Sequence, residues 1–313
     1  MLVPVYDIVN CGPRHRFVAN GKLVHNSDSV NFQNLPSRDK GKKALKNAIV
    51  APEGHVLINS DSSQIEARVL AWLAGQKDVV SHFANREDVY STFATKVYGK
   101  PISKATPVER FVGKTCILGL GYGTGAAKLQ QTLKQGGADL SLDECKRIVD
   151  LYRQTNFMIP NLWRDCDLAL QQLMNGFGRP TRIGEHDAVW VDPRIGIKLP
   201  NGLYIRYPNL RIGEESKLCY DSREGSKFIW GGAMVENVVQ ALARIIVGGQ
   251  MIAIAERYRP VLTVHDSIVC CVKESELDEA LAFIVQVMST APFWAAELPV
   301  ACEAKYGMSY GEC

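Results

Sequence analysis

The sequence predicts an α+β fold with a short all-β segment in front. Three observations predict it. Residues 1–26 alternate like strands between tight turns, helical periodicity dominates from about residue 63 to about 175, and a strand–turn–strand pattern surrounds His265-Asp266-Ser267. The chain has 313 residues, of which 46% are apolar and 22% charged. That is ordinary globular composition, long enough to bury a core without disulfide staples.

In chain order, residues 3–9 are β-rich and Asn10-Cys11-Gly12-Pro13 is a turn. Residues 16–19 and 22–24 flank Asn20-Gly21, a tight hairpin signal. This unit is too small to fold alone. Residues 28–46 are polar, with a basic cluster at Arg38, Lys40, Lys42, Lys43 and Lys46. A strand is predicted over 55–59. Ser63-Gln64-Ile65-Glu66 has the form of a capping box opening a helix that ends near Gly75. Residues 176–230, rich in Gly, Pro and aromatics, read as an antiparallel insertion. A long helix fits 233–258, a hairpin 260–272, and a last helix 276–289.

Charge and cysteine usage exclude several classes. With 36 Lys+Arg against 33 Asp+Glu the net charge is +3. Residues 1–26 hold three cations (Arg14, Arg16, Lys22) and one anion (Asp7), so +2 lies there and +1 on the remaining 287 residues. A uniformly basic coat is excluded, and any nucleic-acid contact must use local positive charge. The nine cysteines include no Cys-x-x-Cys pair. This argues against a zinc ribbon or a secreted disulfide framework and points to a reducing cytosol. No run of 18 apolar residues and no signal-peptide pattern is found, so no membrane association is expected.

Two regions carry candidate chemistry. Asn26 can attack its own peptide bond through its side-chain amide nitrogen, forming a succinimide and cutting the chain. His25 is placed to protonate the scissile carbonyl, and Ser27 offers a hydroxyl that can carry an acyl group. Taken alone, His25-Asn26-Ser27 reads as a plain surface loop. Further on, Asp61 ends a strand and Asp266 sits in a hairpin turn. Two exposed aspartates of this kind suit a two-metal site, because hard Mg²⁺ takes carboxylate oxygens; two turn aspartates are the blander reading. Arg110, Lys114, Leu118 and Tyr122 recur every fourth residue, which puts cations and an aromatic on one helix stripe suited to a triphosphate with a base behind it. Gly113-Lys114-Thr115 imitates a P-loop, but Val108 stands where that motif needs Gly and no strand precedes it. The series Gly119, Gly121, Gly123, Gly125 closes a helix instead of opening one, so it is no dinucleotide loop.

Two resemblances follow from these residues. Val5-Tyr6-Asp7-Ile8, His15-Arg16-Phe17-Val18-Ala19-Asn20-Gly21 and Val24-His25-Asn26 closely resemble the two C-terminal motifs of inteins. The resemblance implies that Asp7 and His15 assist the acyl shifts, that Asn26 cyclises and that Ser27 is the first extein residue. The N-terminal intein motifs are absent from this chain. Residues 1–26 therefore look like the C-terminal fragment of a split intein, needing an N-terminal polymerase/intein fragment on another chain. Either the split point is unusual or the true start lies upstream.

The second resemblance spans residues 27–313. Asp61 to Arg68 looks like the first palm motif of family A DNA polymerases, Arg110 to Gly123 like their fingers helix, and Val264-His265-Asp266-Ser267 like their second palm motif. Asn31-Phe32-Gln33-Asn34-Leu35-Pro36 and Val235 to Arg244 match further stretches of phage-type members, all in family order. The implied fold is a right-hand palm with an antiparallel sheet and helical fingers, the thumb and exonuclease being absent. The implied chemistry is dNMP addition to a primer 3′-end, with primer–template DNA and dNTPs as partners. Two Mg²⁺ would be held by Asp61, Asp266 and the Ser62 carbonyl. Arg110, Lys114, Leu118, Tyr122, Glu66 and Gln64 would face the dNTP, with Glu66 blocking a ribose 2′-hydroxyl. Gln240, Arg244, His265, Gln33 and Asn34 would face DNA.

Three positions depart from the family pattern: Ser62 for Tyr, Ser267 for an acidic residue and Leu118 for Phe or Tyr. The first is expected to be harmless, the second to remove a third carboxylate, and the third to alter sugar discrimination. The expected compartment is the cytoplasm, that of a bacterial host if the gene is a phage's. A related single-subunit RNA polymerase is the alternative, opposed by Glu66 and Tyr122. A non-catalytic template-binding remnant is another, opposed by intact Asn26, Asp61 and Asp266.

Overall fold

The computed structural model describes residues 16–19, 22–25 and 46–313. Asp7, His15, Asn26, Ser27, Gln33 and Asn34 lie outside the described residues. At the front, β1 (Arg16–Ala19) and β2 (Lys22–His25) pair antiparallel with Arg16 opposite His25, the hairpin that Asn20-Gly21 predicted.

The main sheet starts with β3 (His55–Ser62). Seven helices follow: α1 (Ile65–Ala74), α2 (Lys77–Ala84), α3 (Val89–Tyr98), α4 (Pro107–Leu120), α5 (Ala126–Gln135), α6 (Leu142–Thr155) and α7 (Met158–Asn175). The predicted insertion is two small antiparallel sheets. One holds β4 (Thr181–Arg182), β5 (Trp190–Asp192), β6 (Gly196–Lys198) and β7 (Tyr204–Ile205) in that order; the other holds β8 (Arg211–Ile212), β9 (Leu218–Ser222) and β10 (Gly225–Phe228). The chain then forms α8 (Gly231–Ala255), β11 (Arg259–Val264), β12 (Ser267–Lys273), α9 (Leu277–Met288) and β13 (Cys302–Gly307).

The main sheet runs β11-β12-β3-β13 and is antiparallel throughout. Period-two alternation gives β3 two faces. Val56 and Ile58 enter a core with Ile268, Cys270 and Val272 of β12, Val247 and Ile254 of α8, and Ala280, Ile284 and Met288 of α9. Leu57, on the opposite face, packs with Ala51, Val264, Val269 and Tyr310. Asp61 lies on the Leu57 face, at the strand's end.

Helix α8 joins the sheet to the helical layer. Its N-terminal half enters the larger core with α1 and α7, and its C-terminal half lies under the sheet. Being clad by two cores, it is apolar along most of its length, and by length and composition alone it is long and apolar enough to cross a membrane. The sequence motif Gly113-Lys114-Thr115 also has a packing cause. A Cβ at Gly113 would stand 2.1 Å from the Tyr90 carbonyl oxygen, so the glycine lets α3 and α4 touch backbone to side.

Three expectations are corrected. Strand β3 runs three residues past Asn59, because β12 and β13 pair with it on both sides up to Asp61 and Ser62. No capping box opens α1. Its N-cap is Gln64, in the left-handed region at φ 49°, with no side-chain cap. Ser63 instead donates its backbone N–H to the Ala301 carbonyl and accepts from Arg68 Nε. Tyr122 lies past the end of α4, in the following turn, and so is not on the helix stripe proper.

Candidate functional site

Asp61 and Asp266 meet because of register. Ser267, the first residue of β12, is paired with Asp61 of β3, and the Ser62 N–H donates to the Asp266 carbonyl at 3.2 Å. The β11–β12 turn is only His265-Asp266, and His265 adopts φ 54° to close it. Two non-glycine residues in the left-handed region, Gln64 and His265, thus border one spot, where strain of about 1–3 kcal/mol each is held by the surrounding fold.

That spot opens into a cleft of about 920 Å³. Among its walls are Asp61, Gln64, Glu66, Arg110, Lys114, Leu118, Gln240, Arg244, His265 and Asp266. With Glu303 also in its lining, residues separated by up to 242 positions in sequence (61 to 303) therefore converge. Of the other predicted residues, Ser62 is fully buried behind Asp61, its hydroxyl oxygen without a hydrogen-bond partner. His25 belongs to β2, in the N-terminal hairpin.

Local contacts set the electrostatics. Burial, then the charge of Asp61, push the Asp266 carboxyl up to about 6. The Ser267 hydroxyl donates to Asp61 Oδ1 at 2.6 Å, so the serine standing where the family pattern is acidic hydrogen-bonds the neighbouring carboxylate. On the other flank Glu303 of β13 is paired with Asp61 and lines the same cleft. Glu66 accepts a hydrogen bond from the Tyr122 hydroxyl at 3.1 Å; burial first, and Glu66 next, raise that phenol well above its usual value. Gln64 is held by the buried Arg68, which also donates to the carbonyls of Phe83 and Pro299.

Arg110 is already engaged. Its Nε and Nη2 donate to the two Asp88 oxygens at 2.6 and 3.2 Å. Burial would raise the Asp88 carboxyl, but the bonds from Arg110 and Ser91 outweigh it and hold the group below its ordinary range. The Arg110 guanidinium also lies 5.4 Å from the centre of the Tyr90 ring, and burial pushes that phenol up to about 12.

Sequence reasoning missed Asp88, Tyr90, Lys104 and Glu303. Glu303 had a signal, the alternation of Cys302-Glu303-Ala304-Lys305 after the last helix. Asp88 had none, being 22 residues from its partner.

Comparisons with known proteins point to one family. Residues 14–167 match the sequence model of DNA polymerase family A. A DNA polymerase of Bacillus phage SP02 is 30% identical over 279 residues, covering 83% of this chain and 42% of that protein. Over residues 14–167 the chain is similar to family A DNA polymerases. The match begins at residue 14, inside the segment that resembles an intein. DNA polymerase I of Rhizobium leguminosarum is 24% identical over 288 residues, covering 91% of this chain and 26% of the relative. The fold of this chain agrees with a solved structure, the POL domain of Pol1 from M. smegmatis in complex with DNA primer-template and dNTP. The TM-score is 0.63 at 22% identity, over 90% of this chain and 45% of that one. The chain spans less than half the length of these relatives.

Proposed function

We propose that residues 27–313 form the palm and fingers of a DNA-directed DNA polymerase, and that residues 1–26 are a C-terminal intein fragment joining them to an N-terminal half on another chain. The observation that carries the polymerase reading is that one cleft is lined by Asp61 and Asp266 together with Arg110 and Lys114. Carboxylates and cations lining one cleft suit an anionic triphosphate that reacts beside a divalent cation.

The donor set fits Mg²⁺. Asp61 and Asp266 are hard oxygen donors; burial first, and the charge of Asp61 next, raise the Asp266 carboxyl, and a bound cation would favour its ionised form. Among the described residues no group of three His, Cys, Asp or Glu side chains could hold a metal ion. Backbone, water and substrate oxygens would complete the shell, as Mg²⁺ accepts. When bound, Mg²⁺ supplies Lewis acidity at the α-phosphate and a more acidic primer hydroxyl.

The chain's own residues do the rest. Lys114 and Arg110 bind triphosphate oxygens, with Arg110 exchanging Asp88 for phosphate. Glu66 closes the space beside the sugar 2′-carbon. Gln240 and Arg244, four residues apart on α8, present hydrogen bonds to the nascent pair, and His265 contacts the primer end. Support for the front segment is the Arg16–Ala19/Lys22–His25 hairpin next to Asn26.

The experiment is single-turnover primer extension with the spliced protein. Asp61→Ala and Asp266→Ala should each lower the rate by about 10³-fold or more, by analogy with deletion of other electrostatic catalysts. Primer–template affinity should stay near wild type, because phosphate contacts dominate it. Extension within tenfold of wild type would refute the assignment.

A further inference from the structure

The antiparallel insertion has a surface that the cleft does not use. In its four-stranded sheet Arg182 of β4 is paired with Trp190 of β5, Trp190 with Lys198 of β6, and Lys198 with Tyr204 of β7. Directly paired residues share a face, so these four side chains form one row across the sheet. The neighbouring row faces inward: Val191 and Ile197 are fully buried, and Ile205 packs against the larger core. The outer row meets solvent, and Trp190 is 37% exposed there. Cation and aromatic alternate along it.

The indole is held in place by Nε1 donating to the Asp187 carbonyl at 3.3 Å. Both carboxylates beside the row are engaged. Asp187 pairs with Arg182 at 3.3 Å, and Asp192 accepts the Arg194 backbone N–H at 3.0 Å. Among the described residues Lys198 and Arg206 have no ion-pair partner. Gly196 of β6 lets Arg206 join this face, since a Cβ at the glycine would stand 3.4 Å from Arg206 Cγ. A cavity of about 440 Å³ includes Trp190, Lys198 and Tyr204 in its lining, with Pro180, Leu199 and Pro200. It shares no residue with the cleft of Asp61 and Asp266.

Rings that stack bases, alternating with cations that meet phosphates, make a site for a single strand that tolerates any sequence. We propose that this sheet face binds single-stranded DNA, with bases on Trp190 and Tyr204 and phosphates on Lys198 and Arg206. Adjacent strands lie about 4.8 Å apart, so the two rings, two strands apart, stand about 10 Å from each other. Bases of a duplex are stacked on one another and cannot reach both rings, whereas an extended single strand can. The choice of DNA over another polyanion rests on the polymerase reading above.

The test uses the 313-residue chain and a dT oligonucleotide of about 12 nucleotides, within the usual size of a single-strand site. With 5-iodouracil in the oligonucleotide, irradiation and peptide mapping by mass spectrometry should place the cross-link on Trp190 or Tyr204. In fluorescence anisotropy Trp190→Leu and Tyr204→Leu should each weaken binding by about tenfold, the loss of one base–aromatic stack. Lys198→Gln should make the slope of log K against log salt shallower by about 0.7, one phosphate contact on a single strand, and leave the cross-link in place. Duplex DNA of the same length should bind more weakly and lose nothing in Trp190→Leu. No binding of oligo-dT, cross-links confined to the Asp61 cleft, or equal losses for duplex and single strand would overturn the proposal. The polymerase reading would then stand, because it is tested by the Asp61→Ala and Asp266→Ala rates. Tighter binding of oligo-rU or of a proline-rich peptide, lost in the same variants, would overturn the assignment to DNA. Should Trp190→Leu fail to fold, the wild-type cross-link and the Lys198→Gln slope still decide.

Discussion

At Asp266, burial and the neighbouring Asp61 both oppose ionisation and push the carboxyl up to about 6. An aspartate in an unfolded chain titrates near 3.9. The folded state thus binds the proton more tightly, so this group's contribution to stability is full below about pH 4 and is lost as pH rises through about 6. In EDTA, Asp266→Asn should therefore raise Tm at about pH 7.5 by about 2–4 °C, roughly 1 kcal/mol after discounting for partial exposure, and leave it nearly unchanged at about pH 4. Thermal unfolding at both pH values checks this, and an equal shift at both would exclude a charge effect. Glu66 carries a second residue-scale prediction. Glu66→Ala should lower dNTP/rNTP selectivity by about tenfold and, by releasing Tyr122, cost about 1 kcal/mol of stability. Competition between dNTP and rNTP in primer extension is the measurement. Lowered stability with unchanged selectivity would make Glu66 only the partner of Tyr122.

Among elements, α4 is the one whose state should respond to substrate. Its Arg110 is clamped by Asp88 at the start of α3, and Gly113 holds the two helices at close contact. A triphosphate must compete with Asp88 for the guanidinium. Asp88→Asn keeps the shape and removes the competing charge, so the KM for dNTP should fall by about fivefold, the worth of a partly exposed ion pair, with little change in kcat. Steady-state kinetics checks it, and a rise in KM would mean that Asp88 positions Arg110 for the substrate. The capping box expected at α1 failed at this same scale. Ser63 and Glu66 have the right spacing, but the neighbouring strand edge takes the Ser63 N–H and Tyr122 takes the Glu66 carboxylate.

For the whole molecule, α8 is the joint: one end packs with the helices and the other under the sheet, so the wall carrying Gln240 and Arg244 is fixed relative to Asp61 and Asp266. The proposed splicing makes a prediction at this scale. Asn26→Ala should block release of residues 1–26 when the chain is mixed with its N-terminal partner, because only the side chain of residue 26 can cyclise onto the bond to Ser27. Mass spectrometry of the products checks it, and a normally ligated product would end the intein reading.

Asp61, Asp266, Arg110, Lys114 and Glu66 were legible in the sequence because each stands in a short motif whose spacing is local: a strand end, a helix turn, a two-residue hairpin. The hairpin at Asn20-Gly21 and the antiparallel insertion were legible for the same reason, since turn chemistry and period-two alternation act over a few residues. Only the tertiary structure decided what those residues touch. The clamp of Asp88 on Arg110, the pairing of Glu303 beside Asp61 and the bond from Ser267 to Asp61 all join segments far apart in the chain. Such contacts follow from sheet register and helix packing, in which a shift of one residue changes every partner, and no local pattern records them.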